Sequence, residues 1–319
     1  MPQFDVMTFG ETMLRLSPPS HGRIENTDTL DCRTGGSESN TAVALARLGR
    51  RVTWWSRLPN NSLGRKVSGQ LNRWGVDTSK VIWSDEGRLG LYFVEFGSPP
   101  RPTIVTYDRT NSAVSYLKPD DVDWAILSDA AHLHVTGITC ALSPNCAETV
   151  LHAVKEAKSR GLSVSFDVNY RSKLWSAKRC RDTISRMMPY VDLLFCPMGD
   201  ADNVFGIKDS PGLVARRLQG QLRVDTVVVT GSSDHVAAVQ GRDLLRSDIV
   251  RCREVDRVGA GDAGDAGIIH GFLDGDLQKG LKYGSAMAAL KQTIPGDELI
   301  VSKAEIEAVV NGGSSGIQR

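Results

Sequence analysis

The sequence has no excess of charge of either sign: its 319 residues carry 38 Lys+Arg and 37 Asp+Glu, a formal net charge of +1. That balance gives no electrostatic reason to expect nucleic acid or a membrane surface as partner, and any anion site must be local. Paired cysteines are lacking too. The six cysteines include no Cys-x-x-Cys pair, and no Cys/His cluster has zinc spacing. Thiols in a reducing compartment are therefore expected rather than a disulfide framework. No apolar run approaches the ~18 residues of a membrane span. The first residues, Met1-Pro-Gln-Phe-Asp5, form neither a basic nor an apolar leader segment. The expectation is a soluble cytoplasmic protein. Two nucleotide-binding signatures are also missing. There is no Gly-x-x-x-x-Gly-Lys-Ser/Thr loop, and no Gly-x-Gly-x-x-Gly follows the first strand.

What is present is an ordinary globular composition, 41% hydrophobic and 24% charged, long enough for a large core. Short β-type runs alternate with helical stretches. Strands are expected at residues 4–9, 52–56, 131–135, 162–166, 191–195 and 226–230. Helices are expected at 40–48, 63–74 and 146–159, each stopped by a glycine soon after. The runs at 191–195 and 226–230 are almost continuously apolar, which suits strands covered on both faces. The chain therefore reads as α/β, with a mostly parallel sheet between helical layers. Residues 11–34 and 87–112 break the rhythm and are β-like, with strands near 89–95 and 103–107. They are expected to form a small sheet protruding from the main domain as a lid; ordinary surface hairpins are the alternative. Residues 1–310 read as one domain, and 311–319 as a mobile tail.

The strongest local signal is Asp256-Arg-Val-Gly-Ala-Gly-Asp262, followed by a helix. Glycines let a backbone approach a ligand, and the N–H groups at a helix start can hold an anion. Asp262 then has two readings. It could be a plain helix cap. It could also be a base that takes a proton from an attacking hydroxyl, beside an anion hole formed by Gly259, Ala260 and Gly261.

Asp-x-x-Gly-Ala-Gly-Asp resembles the C-terminal signature of the ribokinase-like (PfkB-type) carbohydrate kinases. A second segment, Gly35-Gly36-Ser-Glu-Ser-Asn40-Thr-Ala42, is similar to their sugar-binding segment. Further segments resemble the 2-keto-3-deoxygluconate kinase branch: Gly10-Glu-Thr-Met-Leu-Arg-Leu-Ser17, Leu89-Gly-Leu-Tyr92, Tyr107-Asp-Arg109, Asp167-Val-Asn-Tyr-Arg171 and Ala289 to Asp297. The resemblance implies a ribokinase-like three-layer α/β/α fold with a β lid, and ATP-dependent phosphorylation of a sugar acid at its 6-hydroxyl. It implies that Gly35, Gly36, Asn40, Tyr92, Tyr107, Arg109, Arg171 and Asp297 face the sugar acid, the arginines taking its carboxylate or its carbonyl. It implies that Asn169, Arg171, Thr230, Ser232, Gly259 and Gly261 border ATP. Mg²⁺ would bridge the phosphates with few direct protein ligands. A monovalent-cation requirement stays open. An exposed lid edge is the basis for expecting a homo-oligomer.

Three departures stand out. Gly264-Asp265 follows the signature where the family has a large residue, placing a second carboxylate one helical turn from Asp262. Pro197 replaces an Asn in Cys196-Pro-Met-Gly-Asp200, with Asp200 near the position of a Glu linked to Mg²⁺ and phosphate. Thr230-Gly-Ser-Ser-Asp234 has altered glycine spacing. A kinase for a neutral sugar such as fructose or ribose, and a sugar-binding relative with impaired catalysis, are the alternatives.

Overall fold

The computed structural model describes residues 2–313; the expected mobile tail lies outside the described residues from 314 onward. In chain order the strands are β1 (Val6–Phe9), β2 (Met13–Ser17), β3 (Asp31–Gly35), β4 (Val52–Trp55), β5 (Arg57–Pro59), β6 (Val76–Asp77), β7 (Ile82–Ser84), β8 (Leu91–Glu95), β9 (Ile104–Asp108), β10 (His132–Thr136), β11 (Ser163–Asp167), β12 (Leu193–Pro197), β13 (Thr226–Thr230), β14 (His235–Gln240) and β15 (Asp243–Asp248). Nine of them form one sheet in the order β15-β14-β13-β12-β11-β10-β1-β4-β6. Neighbours from β13 to β6 are parallel. The edge hairpin β14–β15 is antiparallel; β14 is buried through its middle, and the alternating, largely exposed pattern of β15 sets that edge strand apart.

The inner strands are apolar on both faces because helices cover both faces. Met7, Phe9, Leu133, Val135 and Leu194 point into one core. Val6, Trp54, Leu193 and Phe195 point into the other, against the helices Ser37–Arg47, Ala260–Leu273 and Leu277–Gln292. Because these strands run parallel, every loop after one of them leaves at the same end of the sheet, the end where open α/β sheets gather ligands.

Over that end sits a second sheet of four strands, β3-β2-β8-β9. It is built from the two segments that broke the sequence rhythm. Chain leaving β1 enters it through β2 and returns through β3 into the Ser37–Arg47 helix, so the lid is stitched directly to the site. Expected element boundaries move by a few residues. The expected strand at 4–9, for instance, begins at Val6, and Phe4 makes only an isolated bridge to Ala130. Sequence reading missed the β14–β15 hairpin, and also the short β5–β7 pair, whose strands are three residues each.

Candidate active site

A cleft of about 360 Å³ lies between the lid and the C-terminal ends of β1, β11 and β12. Asp262 stands in it, half-buried. The residue capping the Ala260–Leu273 helix is Gly259, in a left-handed conformation with φ 84°. The helix-cap reading of Asp262 is therefore excluded. A side chain at 259 would be strained by that φ, and its Cβ would lie 2.0 Å from the carbonyl oxygen of Asp297. Ser37 Oγ donates to Asp262 Oδ1 at 2.7 Å, and Asn40 Nδ2 donates to Oδ2 at 2.7 Å. Burial raises the Asp262 pKa, and these two donors pull it back by stabilising the carboxylate.

Gly259 and Gly261 line the cleft, and their N–H groups have no protein acceptor among the described residues. Ala260 corrects the expected triple of donors. It does not line the cleft, and its N–H turns back to the Arg257 carbonyl at 3.2 Å. Arg257 itself faces the cleft; it was visible inside the signature but was not singled out.

At the other end, Tyr92 and Tyr107 stack at 5.9 Å between centroids. Tyr92 is buried, and its hydroxyl donates to Asp297 Oδ2 at 2.5 Å. Asp297 thus carries protein contacts as well as bordering the cleft. Gly35 and Gly36 also border it, but their small size is required by the protein. A Cβ at 35 would fall 2.1 Å from Tyr92 Oη, and one at 36 would fall 2.1 Å from the Glu11 carbonyl oxygen. Arg109 lines the cleft with two of its donors committed, Nε and Nη2 both to Glu11 Oε2. The forked grip expected of it is therefore shared with Glu11. Arg171 is exposed and, among the described residues, donates only to the Tyr170 carbonyl, and it lines the cleft.

Asn169 sits at φ 40°, after β11, a left-handed position that Asn tolerates. Its Nδ2 donates to Asp167 Oδ2 and to Ser37 Oγ, both at 2.8 Å, while its buried Oδ1 has no partner among the described residues. Burial, and then Asp200 and Asp262, push the Asp167 pKa up to about 7. Asp200 accepts the Tyr170 N–H at 2.9 Å and so braces this loop. Among the described residues no three His, Cys, Asp or Glu side chains form a metal cluster. Thr230 and Ser232, expected to border ATP, stand outside the residues that line the cleft. Thr230 is half-buried, in register with Pro197, and Ser232 Oγ accepts the Asp234 N–H at 3.3 Å. Here Pro197, not Thr230, reaches the cleft wall.

Asp265 is 5% exposed, and no hydrogen bond to its carboxyl is seen among the described residues. Burial, Asp167 and Asp262 raise its pKa far above the usual carboxylate range. The burden of the like-charge pair falls on Asp265.

Sequence reading also missed Arg15, which is 2% exposed and paired with Asp256 and Asp297. Nothing local marks a strand arginine as buried.

A model of the pfkB family of carbohydrate kinases matches residues 3–303. The chain is 40% identical to the 2-dehydro-3-deoxygalactonokinase of Haloferax volcanii, over 99% of both chains. It is 33% identical to the 2-dehydro-3-deoxygluconokinase of Bacillus subtilis, over 92% of this chain and 91% of that one. The solved structure of 2-dehydro-3-deoxygluconokinase from Thermotoga maritima superposes with a TM-score of 0.91 at 36% identity, covering 97% of this chain and 100% of that chain.

Proposed function

This chain belongs to the pfkB family of carbohydrate kinases and has their ribokinase-like fold, and from that premise we propose that its acceptor is a 2-dehydro-3-deoxy sugar acid. The observation that carries the reading is Asp262. Both its oxygens are held by Ser37 and Asn40 in a cleft that the open Gly259 and Gly261 N–H groups also face. Asp262 takes the proton of the 6-hydroxyl as that oxygen bonds to the γ-phosphorus of ATP and the bond to the ADP oxygen breaks. The Gly259 and Gly261 N–H groups, at the positive end of the helix, stabilise the charge on the transferring phosphoryl. Arg257 adds a cation at the same end.

The acid end is read from Arg109, Arg171 and the Tyr92/Tyr107 pair. Two cations beside an aromatic wall favour a carboxylate-bearing chain over a neutral sugar. The full-length relatives named for 2-dehydro-3-deoxy acids support the same choice. Mg²⁺ fits the residues present. The unpartnered Asn169 Oδ1 and the Asp167 carboxyl would help hold it, and it would screen the phosphate charge. Exposed Ile104 and Tyr107 on the lid strand β9 support a homo-oligomer. Among the described residues no helix is long and apolar enough to cross a membrane, and ATP consumption supports a cytoplasmic setting.

An ADP-release assay tests the reading. Purified protein with Mg²⁺-ATP should turn over 2-dehydro-3-deoxygluconate or its galactonate epimer far faster than fructose or ribose. Asp262→Asn should lower kcat by a factor of about 100 or more. Undiminished turnover by that variant would remove Asp262 from the role of base, and preference for a neutral sugar would remove the acid assignment.

A further inference from the structure

Two fully buried cations flank the cleft. Lys291, 0% exposed, belongs to the body, and its Nζ donates to the carbonyls of Asp256 (2.9 Å) and Ile294 (3.2 Å). Arg15 comes from the lid strand β2 and reaches the same two loops by their side chains. Its Nη1 donates to Asp297 Oδ1 at 2.5 Å, its Nη2 pairs with Asp256 Oδ2 at 2.7 Å, and its Nε donates to Ser17 Oγ at 3.1 Å. With Asp256 and Asp297 the four charges sum to zero, as burial requires.

The connections run beyond the cluster in both directions. Asp297 takes the Tyr92 hydroxyl on its other oxygen, at the acid end of the cleft. Asp256 Oδ1 accepts the Val258 N–H at 3.0 Å, and its Oδ2 also accepts the Gly296 N–H at 2.8 Å. Val258 directly precedes Gly259, whose Cα rests on the Asp297 backbone. One rigid guanidinium fork thus joins the wall that would meet the acceptor to the turn that would meet the phosphates. A guanidinium transmits displacement between two carboxylates as a plane, which a lysine ammonium on a flexible stem does not.

We propose that Arg15 is a positioning residue that couples the two ends of the cleft, so that acceptor and nucleotide strengthen each other's binding. This rests on the cleft being the kinase site. Coupling of this kind is reciprocal.

Calorimetry on the whole protein decides it. The dissociation constant of a non-hydrolysable ATP analogue with Mg²⁺ is measured with and without saturating 2-dehydro-3-deoxygluconate, and the reverse. In the unaltered protein each ligand should tighten the other by roughly 10-fold. Arg15→Lys should bind each ligand alone yet show less than about twofold coupling, within the scatter expected of unlinked sites. Asp256→Asn, which cuts the link from the body side, should behave alike. Thermal melts establish which variant is folded at the temperature used, and either folded variant suffices, because a merely structural arginine would lower the melting point without touching the coupling. Coupling retained by Arg15→Lys or Asp256→Asn, or absent from the unaltered protein, overturns the inference while leaving the kinase site standing. If the unaltered protein binds neither ligand, the kinase reading fails and the inference falls with it.

Discussion

Asp262 is poised between two opposing influences. Burial holds its proton, and the donors from Asn40 and Ser37 favour its loss. Removing a donor destabilises the carboxylate, so the pKa must rise. Asn40→Ala should therefore move the acid limb of the kcat/KM profile to higher pH, by about one unit if one charge-assisted hydrogen bond of ~1.5 kcal/mol is lost. A pH–rate profile of both proteins checks this, and an unmoved limb would mean that the limb reports another group. Asp262 and Asn40 are readable because each stands beside glycines in its own motif. Ser37 lies inside the Gly35–Ala42 segment, but nothing in its immediate sequence marks it. Its role appears only when the Ser37–Arg47 helix packs on the Ala260–Leu273 helix, 225 residues away. The like-charge concern about Asp265 was sound in sign. Only the three-dimensional surroundings show that burial comes first in raising the Asp265 pKa, with Asp167 and Asp262 adding to it.

At the scale of elements, the helix carrying Asp262 is held by a seam of small residues. Gly267 and Gly271 on the Ala260–Leu273 helix face Gly280 and Gly284 on the Leu277–Gln292 helix. A Cβ at 267 would come 2.5 Å from the Gly284 nitrogen, and one at 271 would come 2.3 Å from Gly280. Gly264, the unusual glycine after the signature, is different: its Cβ would find only ordinary contacts, at 3.6 Å, to Ala288 Cβ and the Gly284 carbonyl oxygen. Gly264→Ala should therefore stabilise the protein by about 0.5–1 kcal/mol through helix propensity. Gly267→Ala should destabilise it by about 1–3 kcal/mol through overpacking. Urea denaturation of the two variants separates them, and equal effects would contradict the packing described. The two glycines look alike in the sequence. Which one touches a neighbouring backbone depends on how the helices cross.

At the scale of the whole molecule, one buried carboxyl should contribute stability that is lost as pH rises from 4.5 to 7. Glu38 is fully buried behind the site. Its Oε1 accepts from Thr136 N, Thr136 Oγ1 and Thr139 Oγ1, and its Oε2 has no partner. Burial raises its pKa from 4.5 to about 7. Between those values the folded state holds a proton on Glu38 that the unfolded chain releases, so the contribution of Glu38 to stability is full below pH 4.5 and falls as pH climbs to 7. At about 1.4 kcal/mol per pH unit, the loss attributable to this residue is on the order of 3 kcal/mol. Asp167 adds a slope of the same sign. Glu38→Gln, with nothing to titrate, should flatten the difference in unfolding free energy between pH 5 and pH 8 by that amount. Equal slopes in the two proteins would rule Glu38 out as the source.

By itself the sequence determined the α/β class, the lid segments and the residues clustered around Asp262. Each of these is encoded locally, in hydrophobic period, glycine placement or adjacency within a motif. Tertiary structure alone decided that Arg15 and Lys291 are buried, that Arg109 shares its fork with Glu11, and that Ala260, Thr230 and Ser232 stand away from the cleft wall. Burial and pairing of charges depend on which distant loops meet, and no local pattern encodes a contact between residues 15 and 297. Asp262 is also raised in pKa by that assembly, because the lid and three loops together remove it from water while Ser37 and Asn40 return part of what solvation had supplied.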